Sequence, residues 1–308
     1  MSLQNKAYQL FNSELEHWKL AAEKYAELHK SIAKSFSFGD FSVEVVCNLA
    51  RLRSTMAEVK QRVEQMRITN TNNVFLPQNN EEKCFLCSEI RPQEQQAIEI
   101  NDFQILINPY PIFPKHFTIA HKKHTPQLII PYFTDFMYFA KHLPDFAVFY
   151  NGANCGASAP YHAHFQAAEK QYFNVIKDFH NFSDENFEII DRNSNFTLKL
   201  FKNYLRKTFC IETPYEKTAK EVFMKYFYNY IETSMLNVIC VFENGKYLIF
   251  IFPRKKFRPT QFYEEDEHKR ISISPGSVEL SGRFVTVFKE HFDRITQTDI
   301  VDIFRQIS

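Results

Sequence analysis

The sequence predicts an α+β protein in which antiparallel sheets are flanked by helices. The chain has 308 residues, of which 44% are hydrophobic, and many of its 33 Phe and 15 Tyr fall in short segments typical of strands. Only 6 residues are Gly, and neither a GxGxxG nor a Walker pattern occurs. Since doubly wound folds use such glycine-rich turns, the composition favours an antiparallel sheet with one large core or two smaller ones.

The charge balance and the cysteine count limit which kinds of binding partner and which cellular compartment the sequence fits. Lys and Arg total 37 against 36 Asp and Glu, so no overall field attracts nucleic acid or an anionic membrane. No apolar run approaches the roughly 20 residues that a membrane span needs. The 6 cysteines are too sparse for a disulfide framework. We therefore expect a cytoplasmic protein that acts on a small molecule.

The N-terminal segment, residues 1–80, precedes the recognisable motifs. Apolar residues three and four apart predict a helix over 6–35, the stretch FSVEVVCNLARLR at 41–53 is typical of a strand, and a second helix is expected over 54–66. The Asn-rich stretch at 69–83 predicts a loop.

The rest of the chain indicates two related halves. Residues 103–127 predict a strand, a Pro-rich turn and a strand; after a helix, 145–168 predict a strand, a Gly-bearing loop and a strand. Residues 237–262 repeat strand, turn and strand before a basic loop. This repetition predicts a catalytic half-domain over 81–195 and a degenerate half-domain over 196–308 that completes the substrate site.

Two histidines and a glutamine at two-residue spacing mark the candidate site. In APYHAHFQAAEK, His162, His164 and Gln166 lie at i, i+2 and i+4, so an extended strand directs all three to one face. Phe165 between them would face the core. A polar face is costly unless something binds against it, although each histidine could instead bond to the backbone.

The loop before this strand favours a bound phosphate. The stretch NGANCGAS contains Asn151, Gly152, Gly156 and Ser158, and small residues let main-chain amides approach an anion closely. Two of the 6 glycines lie in this one loop. A phosphate beside a histidine pair is therefore the predicted content of the site.

A CxxC pair suggests a metal site. Cys84 and Cys87 supply two thiolates, and structural zinc takes four ligands in a tetrahedron. His162 is a candidate for the third ligand, and either His124 or His121 for the fourth. The alternative is that both cysteines are free thiols near a loop.

Basic residues in two places could bind phosphate. The stretch FPRKKFRP carries Arg254 and Lys256, which we expect near an acceptor phosphate or sugar phosphate, while Arg51 and Arg53 form a second group. Either group could equally be a solvated basic surface.

These stretches resemble a known family. NGANCGASAPYHAHFQ is similar to the active-site segment of the transferase branch of the histidine triad superfamily, which contains galactose-1-phosphate uridylyltransferase, diadenosine tetraphosphate phosphorylase and GDP-galactose phosphorylase. Residues 103–127 resemble the leading strand pair of that superfamily, CFLC lies where the uridylyltransferases carry zinc cysteines, and 271–296 resemble a C-terminal segment of the phosphorylases. The likeness covers roughly residues 80–300.

The resemblance implies histidine triad-like tandem half-domains, as in galactose-1-phosphate uridylyltransferase, and a role for each matching residue. His164 would attack the α-phosphorus of a nucleotide. Gln166 would bind the phosphoryl group in transfer, and Ser158 with the loop amides would hold its oxygens. Asn108 would reach the ribose.

The resemblance also implies a zinc cofactor. His162 would bind zinc together with Cys84 and Cys87. His124 matches the fourth position best, and His121 is the alternative.

The implied activity is nucleotidyl transfer of the phosphorylase or uridylyltransferase type, in carbohydrate metabolism. An NMP group would pass from an NDP-sugar or dinucleoside polyphosphate to phosphate or a sugar 1-phosphate through a covalent histidine–NMP intermediate. A neutral imidazole is a good nucleophile near pH 7, and Gln in place of a third His favours transfer over hydrolysis.

Two alternatives stay open: a nucleotide hydrolase of the same fold, and a catalytically silent zinc-containing nucleotide-binding protein. Tyr161, inserted before His162, favours the phosphorylases, whereas the CxxC pair favours the uridylyltransferases. The sequence identifies neither the base nor the sugar. A homodimer is a further expectation.

Overall fold

The computed structural model describes residues 1–51 and 84–308. The helix predicted over 54–66, the loop predicted over 69–83 and Arg53 lie outside the described residues. None of the described helices is long and apolar enough to cross a membrane.

The described residues form helices and strands, and most of the strands belong to one antiparallel sheet, which confirms the predicted α+β class. The helices are α1 (Leu3–His17), α2 (Lys19–Leu28), α3 (Phe133–His142), α4 (Asn174–Asn181), α5 (Glu216–Glu232), α6 (Ser277–Leu280), α7 (Lys289–Arg294) and α8 (Gln297–Ile307). The strands are β1 (Ile32–Ser37), β2 (Ser42–Cys47), β3 (Ile98–Ile100), β4 (Phe103–Ile107), β5 (His116–His121), β6 (Phe146–Asn151), β7 (His164–Glu169), β8 (Phe187–Arg192), β9 (Thr197–Phe201), β10 (Phe209–Thr213), β11 (Leu236–Glu243), β12 (Lys246–Pro253) and β13 (Arg283–Thr286).

Ten of these strands form one sheet, in the order β3-β4-β5-β7-β6-β11-β12-β10-β9-β8. All of its pairings are antiparallel. The first group, β3 to β7, and the second group, β8 to β12, follow the same strand order, with a helix between the third and fourth strands of each. The two groups meet where β6 pairs with β11.

The strands alternate in side-chain direction, and each face of the sheet buries its own core. In β12, Tyr247, Ile249 and Ile251 lie on one face of the sheet and pack with α1, α2, α3 and α5. We call this face the helical face. Leu248 and Phe250 pack on the other, the C-terminal face, against α4, α6, α7, α8 and β2. The period of two in a strand produces this separation of one sheet into two cores.

A second, three-stranded sheet ties the N-terminal segment to the C-terminal one. Strand β2 pairs antiparallel with β1 and parallel with β13. The helix predicted over 6–35 is interrupted at the buried Trp18 and ends at Leu28, and Ile32–Ser37 instead forms β1. Pairing with β2 overrides the helical periodicity there, as tertiary contacts commonly do.

The strand predicted to carry all three polar residues of the motif begins only at His164: His162 lies before β7, and its side chain is in a cluster with Cys84 and Cys87 and not beside Gln166. In β7, Phe165 packs in the core of the helical face. His164 and Gln166 alternate with Phe165 and therefore lie on the C-terminal face, in the first group.

Candidate active site and metal cluster

His164 is buried, and its ring leaves one nitrogen available for chemistry. The ring is 3% exposed, and its Nδ1 lies 2.8 Å from the main-chain oxygen of His162, to which an Nδ1–H donates. The lone pair is then on Nε2, which has no hydrogen-bond partner among the described residues. Burial lowers the pKa of His164 to about 4, so the imidazole is neutral at pH 7.

Gln166 is oriented by a histidine that the sequence interpretation overlooked. His116 Nε2 lies 2.8 Å from Gln166 Oε1, while His116 Nδ1 accepts a bond of 3.2 Å from the main-chain N–H of Ile112. These bonds define the tautomer: Nε2–H donates to Gln166, whose amide nitrogen is directed away from His116. Burial lowers the pKa of His116 to about 3, so this neutral tautomer persists at pH 7.

Asn108 lies on the turn after β4, beside the same strands. Its Oδ1 accepts a 2.9 Å bond from the main-chain N–H of Tyr110, and its Nδ2 donates over 3.4 Å to Thr118 Oγ1. Thr118 pairs with Gln166 in the β5–β7 register. Arg51 supports this turn by donating over 2.6 Å to the carbonyl of Tyr110.

The loop predicted to hold phosphate is packed against the second group. A Cβ at Gly152 would lie 2.2 Å from the carbonyl oxygen of Ser234, so only glycine fits there. Gly156 has φ +110° and packs against Gly276. Ser158 is exposed. The loop main chain thus has a defined course set by the second group.

Asn151, at the end of β6, joins the loop to the second group. Its Oδ1 accepts 2.8 Å bonds from Asn237 Nδ2 and from the main-chain N–H of Ser277. Asn237 also donates over 2.9 Å to the carbonyl of Cys155 in the loop.

The side chains of Cys84, Cys87, His124 and His162 come together in a four-residue cluster. Their ligand atoms all lie within 4.8 Å of one another. His162 Nδ1 is 3.4 Å from Cys84 Sγ, and His124 Nδ1 is 3.3 Å from Cys87 Sγ. A tetrahedral zinc ion with bonds of about 2.3 Å to sulfur and about 2.0 Å to nitrogen holds such atoms roughly 3.5 Å apart. The cluster therefore has the size and the donor set of a tetrahedral metal site.

His121 supports this cluster instead of joining it. The ring of His162 lies with Nε2 2.7 Å from the carbonyl oxygen of His121, so Nε2–H donates and Nδ1 keeps its lone pair toward the thiols. The ring of His121 itself accepts from the main-chain N–H of Lys123. Of the two alternatives for the fourth member of the cluster, the geometry selects His124.

Arg254 and Lys256, predicted to bind phosphate, lie among protein acceptors. All five N–H groups of Arg254 are used: one bond goes to the side chain of Asn237, and the others go to main-chain carbonyls, those of Pro275, Lys256, Phe257 and Ile307. Lys256 Nζ donates over 2.9 Å to Gln306. A phosphate contact by Arg254 would require one of these buried bonds to break.

The sequence contained a signal for one of the two residues that were overlooked. His116 and Thr118 alternate with the apolar Phe117 and Ile119, the same period of two that places His164 and Gln166 on one face. Gln127 bonds to the main chain of His164, but it follows a proline in an irregular segment, where no periodicity could indicate its direction.

Fold and site together define an α+β protein with a ten-stranded antiparallel sheet and a buried histidine, His164, close in sequence to a Cys/His cluster. The chain belongs to the family described as domain of unknown function DUF4922, whose model matches residues 10–169. No curated protein matches the chain.

Solved structures share the fold over nearly the whole chain. A crystal structure of yeast Ap4A phosphorylase Apa2 in complex with AMP is 14% identical, with a TM-score of 0.61, and the match covers 98% of this chain and 95% of that one. The same yeast enzyme in complex with Ap4A is 15% identical, with a TM-score of 0.53, and the match covers 99% and 97%. At these identities the likeness establishes the fold.

Proposed function

We propose that this protein is a nucleotidyltransferase that uses His164 Nε2 as its nucleophile. The observation that carries the proposal is the geometry of His164: its Nδ1–H is held by the carbonyl of His162, and its buried Nε2 has no partner among the described residues. A buried nitrogen without a partner is costly unless it serves a reacting group.

The reaction would proceed in two in-line steps. In the first, the Nε2 lone pair attacks the α-phosphorus of the donor, a P–N bond forms, and the P–O bond to the leaving phosphate breaks. In the second, an oxygen of the acceptor attacks the phosphorus, and the electrons of the P–N bond return to Nε2. The leaving group departs as a phosphate anion, and Nδ1–H stays bonded to His162, so no proton needs to leave the ring.

The remaining polar groups would stabilise the phosphoryl group in transfer. The bond from His116 directs the Gln166 amide nitrogen outward, where it can donate to a phosphoryl oxygen. We assign the same role to Ser158 and the amides around Gly152 and Gly156. Such preorganised donors supply most of the stabilisation in phosphoryl transfer.

We propose that the Cys84/Cys87/His124/His162 cluster binds zinc. Two thiolates and two imidazoles are the donor set that zinc prefers, and the separations of the sulfur and nitrogen atoms fit its tetrahedron. A bound zinc would have a structural role, because all four positions are filled by protein. The ion would fix the ring of His162, whose carbonyl holds His164.

We propose the substrate class on the basis of the site and of the comparisons. Asn108 would meet the ribose, and the donor would be a dinucleoside polyphosphate or an NDP-sugar, with phosphate or a sugar 1-phosphate as acceptor. The likeness to a phosphorylase that has been crystallised with AMP and with Ap4A supports a nucleotide donor. We assign catalysis to the half-domain over 81–195 and completion of the site to that over 196–308. The cytoplasmic location and the homodimer stay predictions.

Covalent labelling tests the proposal. The purified protein is incubated without acceptor with α-³²P-labelled diadenosine tetraphosphate, UDP-glucose, GDP-mannose, GDP-galactose and ADP-glucose, and acid-labile, base-stable label on the protein is measured. We expect label from one donor, and its loss in His164→Ala. His142→Ala is the matched control, since His142 Nδ1 also bonds a main-chain carbonyl but lies on the surface.

The acceptor separates the alternatives. Label that is discharged by added phosphate or sugar 1-phosphate supports transfer, whereas label that is discharged equally fast by water alone indicates the hydrolase. A folded protein that contains zinc and takes label from no donor would overturn the proposal in favour of a silent nucleotide-binding protein.

A further inference from the structure

The side chain of Gln127 is a fully buried carboxamide that hydrogen-bonds the main chain on both sides of the loop between β6 and β7. It is 1% exposed. Its Nε2 donates over 2.9 Å to the carbonyl of His164 and over 3.0 Å to the carbonyl of Asn151. Its Oε1 accepts a 2.7 Å bond from the main-chain N–H of His164. Among the described residues, this one side chain therefore bonds both main-chain polar groups of the histidine.

The register shows why a side chain is needed there. Strands β6 and β7 pair up to Phe149 with Gln166, and the next same-face pair would be Asn151 with His164. Asn151 and His164 do not pair, because β6 and β7 separate at this point, where the chain enters the loop between the two residues. Each strand residue directs its N–H and C=O to one neighbour, and those of His164 point toward the place that β6 has left. The Gln127 carboxamide fills this place as a peptide group would.

The main chain of Gln127 is held as firmly as its side chain. The hydroxyl of Tyr150 donates over 3.0 Å to its carbonyl oxygen. The preceding turn is fixed by the N–H of Ala163, which donates over 2.7 Å to the carbonyl of Thr125. Gln127 is thus tied to the strands before and after the loop, and it spans the point where they separate.

We propose that Gln127 is a positioning residue for the nucleophile: it holds the main chain of His164 so that Nε2 meets the α-phosphorus. This inference rests on the proposed function. Since Nδ1 of His164 is bonded to the adjacent carbonyl of His162, the ring moves with its own main chain. A displacement of that main chain moves Nε2 out of line, and an error of about 1 Å can cost about 100-fold in rate.

Two nearly isosteric variants test the role. Gln127→Glu keeps the shape but, when ionised, places an oxygen against the carbonyls of His164 and Asn151. Gln127→Met keeps the volume and removes every hydrogen bond. Gln297→Ala is the control, because its exposed carboxamide also donates to a main-chain carbonyl, that of Ser37, far along the chain from the site.

The measurements are single-turnover labelling and nucleotide affinity, at several pH values. At pH 8 we expect both Gln127 variants to acquire label about 10-fold to 100-fold more slowly, with the nucleotide dissociation constant within about threefold of wild type. As the pH falls to 6, the protonated carboxyl of the Glu variant can again donate to one carbonyl and accept from His164, so its rate relative to wild type rises. The rate of the Met variant relative to wild type stays low at every pH.

A donor-independent measurement separates this inference from the proposed function. In ¹⁵N-histidine spectra without nucleotide, the Nδ1–H resonance of His164, assigned by its loss in His164→Ala, should shift or broaden in both Gln127 variants and persist in Gln297→Ala. If wild type takes no label while this resonance changes as expected, the proposed function fails and the positioning stands. An unchanged resonance, wild-type labelling rates, or a loss of affinity equal to the loss of rate would overturn the positioning role.

Discussion

The two five-stranded groups share one strand order and differ in what faces the C-terminal layer. On that face β7 of the first group carries His164 and Gln166, whereas β12, at the equivalent place in the second group, carries Leu248, Phe250 and Phe252. These three residues of β12 are buried in the core of the C-terminal face. One topology thus carries the candidate site in the first group and a packed core in the second.

The difference shows what the second group contributes. Its residues do not form a second site on this face but fix the loop of the first: Ser234 excludes any side chain at Gly152, and Asn237 bonds both Asn151 and Cys155. Arg254, which donates to Asn237, belongs to this arrangement. Substitutions in the first group should therefore change the chemistry, and those at equivalent places in the second group should change stability.

The largest expected effect is that of His164→Gln. Removal of the proposed nucleophile should reduce labelling about 1,000-fold or more, since the P–N bond forms through its Nε2 lone pair. The free energy of unfolding should fall by about 1 to 3 kcal/mol, because the buried Nδ1–H bond to the carbonyl of His162 is lost. Labelling kinetics and urea denaturation check both parts. A large loss of stability with little loss of labelling would contradict the assignment of the chemistry to the first group.

The reciprocal change in the second group is Phe250→Ala. Phe250 is fully buried on the C-terminal face, so its truncation should cost about 3 to 5 kcal/mol of the free energy of unfolding. At a temperature where the variant is folded, its labelling rate should stay within about threefold of wild type. Urea denaturation measures the first, and single-turnover labelling the second. A specific loss of labelling in a stable variant would show that β12 takes part in the chemistry.

An intermediate effect is expected for His116→Ala. Without the bond from His116, the Gln166 carboxamide loses its orientation, and labelling should slow about 10-fold to 100-fold. His291→Ala is the matched control: His291 is also buried and also accepts a main-chain N–H through Nδ1, from Ser272, but it lies on helix α7 and not on a strand of the sheet. Equal labelling rates for the two variants would show that His116 does not orient Gln166 for the reaction.

The smallest effect is a dependence of stability on pH that His116 should cause. In the folded protein His116 stays neutral because burial lowers its pKa to about 3, whereas in the unfolded chain it binds a proton below about pH 6.5. The unfolded state then holds more protons, so stability falls as the pH falls, by about 1.5 kcal/mol from this residue between pH 6.5 and 5. Urea denaturation across this range should show a shallower dependence in His116→Gln than in wild type. An unchanged slope would contradict the neutral, buried histidine.

Local patterns sufficed where residues of the candidate site lie at alternate positions of one strand. The spacing of His164 and Gln166 predicted their shared face, and the CxxC pair predicted two members of the cluster. The strand pairs within 103–127, 145–168 and 237–253 were predicted from short apolar and aromatic runs separated by turn residues. Each of these features depends on the direction of side chains within a single element.

Contacts between distant segments could not be predicted in this way. No local sequence pattern shows that Gln127 bonds the main chain of His164 or that Asn237 bonds Asn151. The same holds for Arg254, whose N–H groups donate mainly to main-chain carbonyls. The strand at Ile32–Ser37 likewise depends on its pairing with β2. These features belong to the packing of the whole chain, which overrides local preference.

The most direct test of the central claim is to locate the covalent adduct. The protein is incubated with the donor that labels it, digested under basic conditions, and analysed by mass spectrometry for the modified peptide and by ³¹P NMR for the nitrogen that carries the phosphorus. We expect one NMP group on His164, attached at Nε2. An adduct on His162 or any other residue, or one attached through Nδ1 of His164, would contradict it.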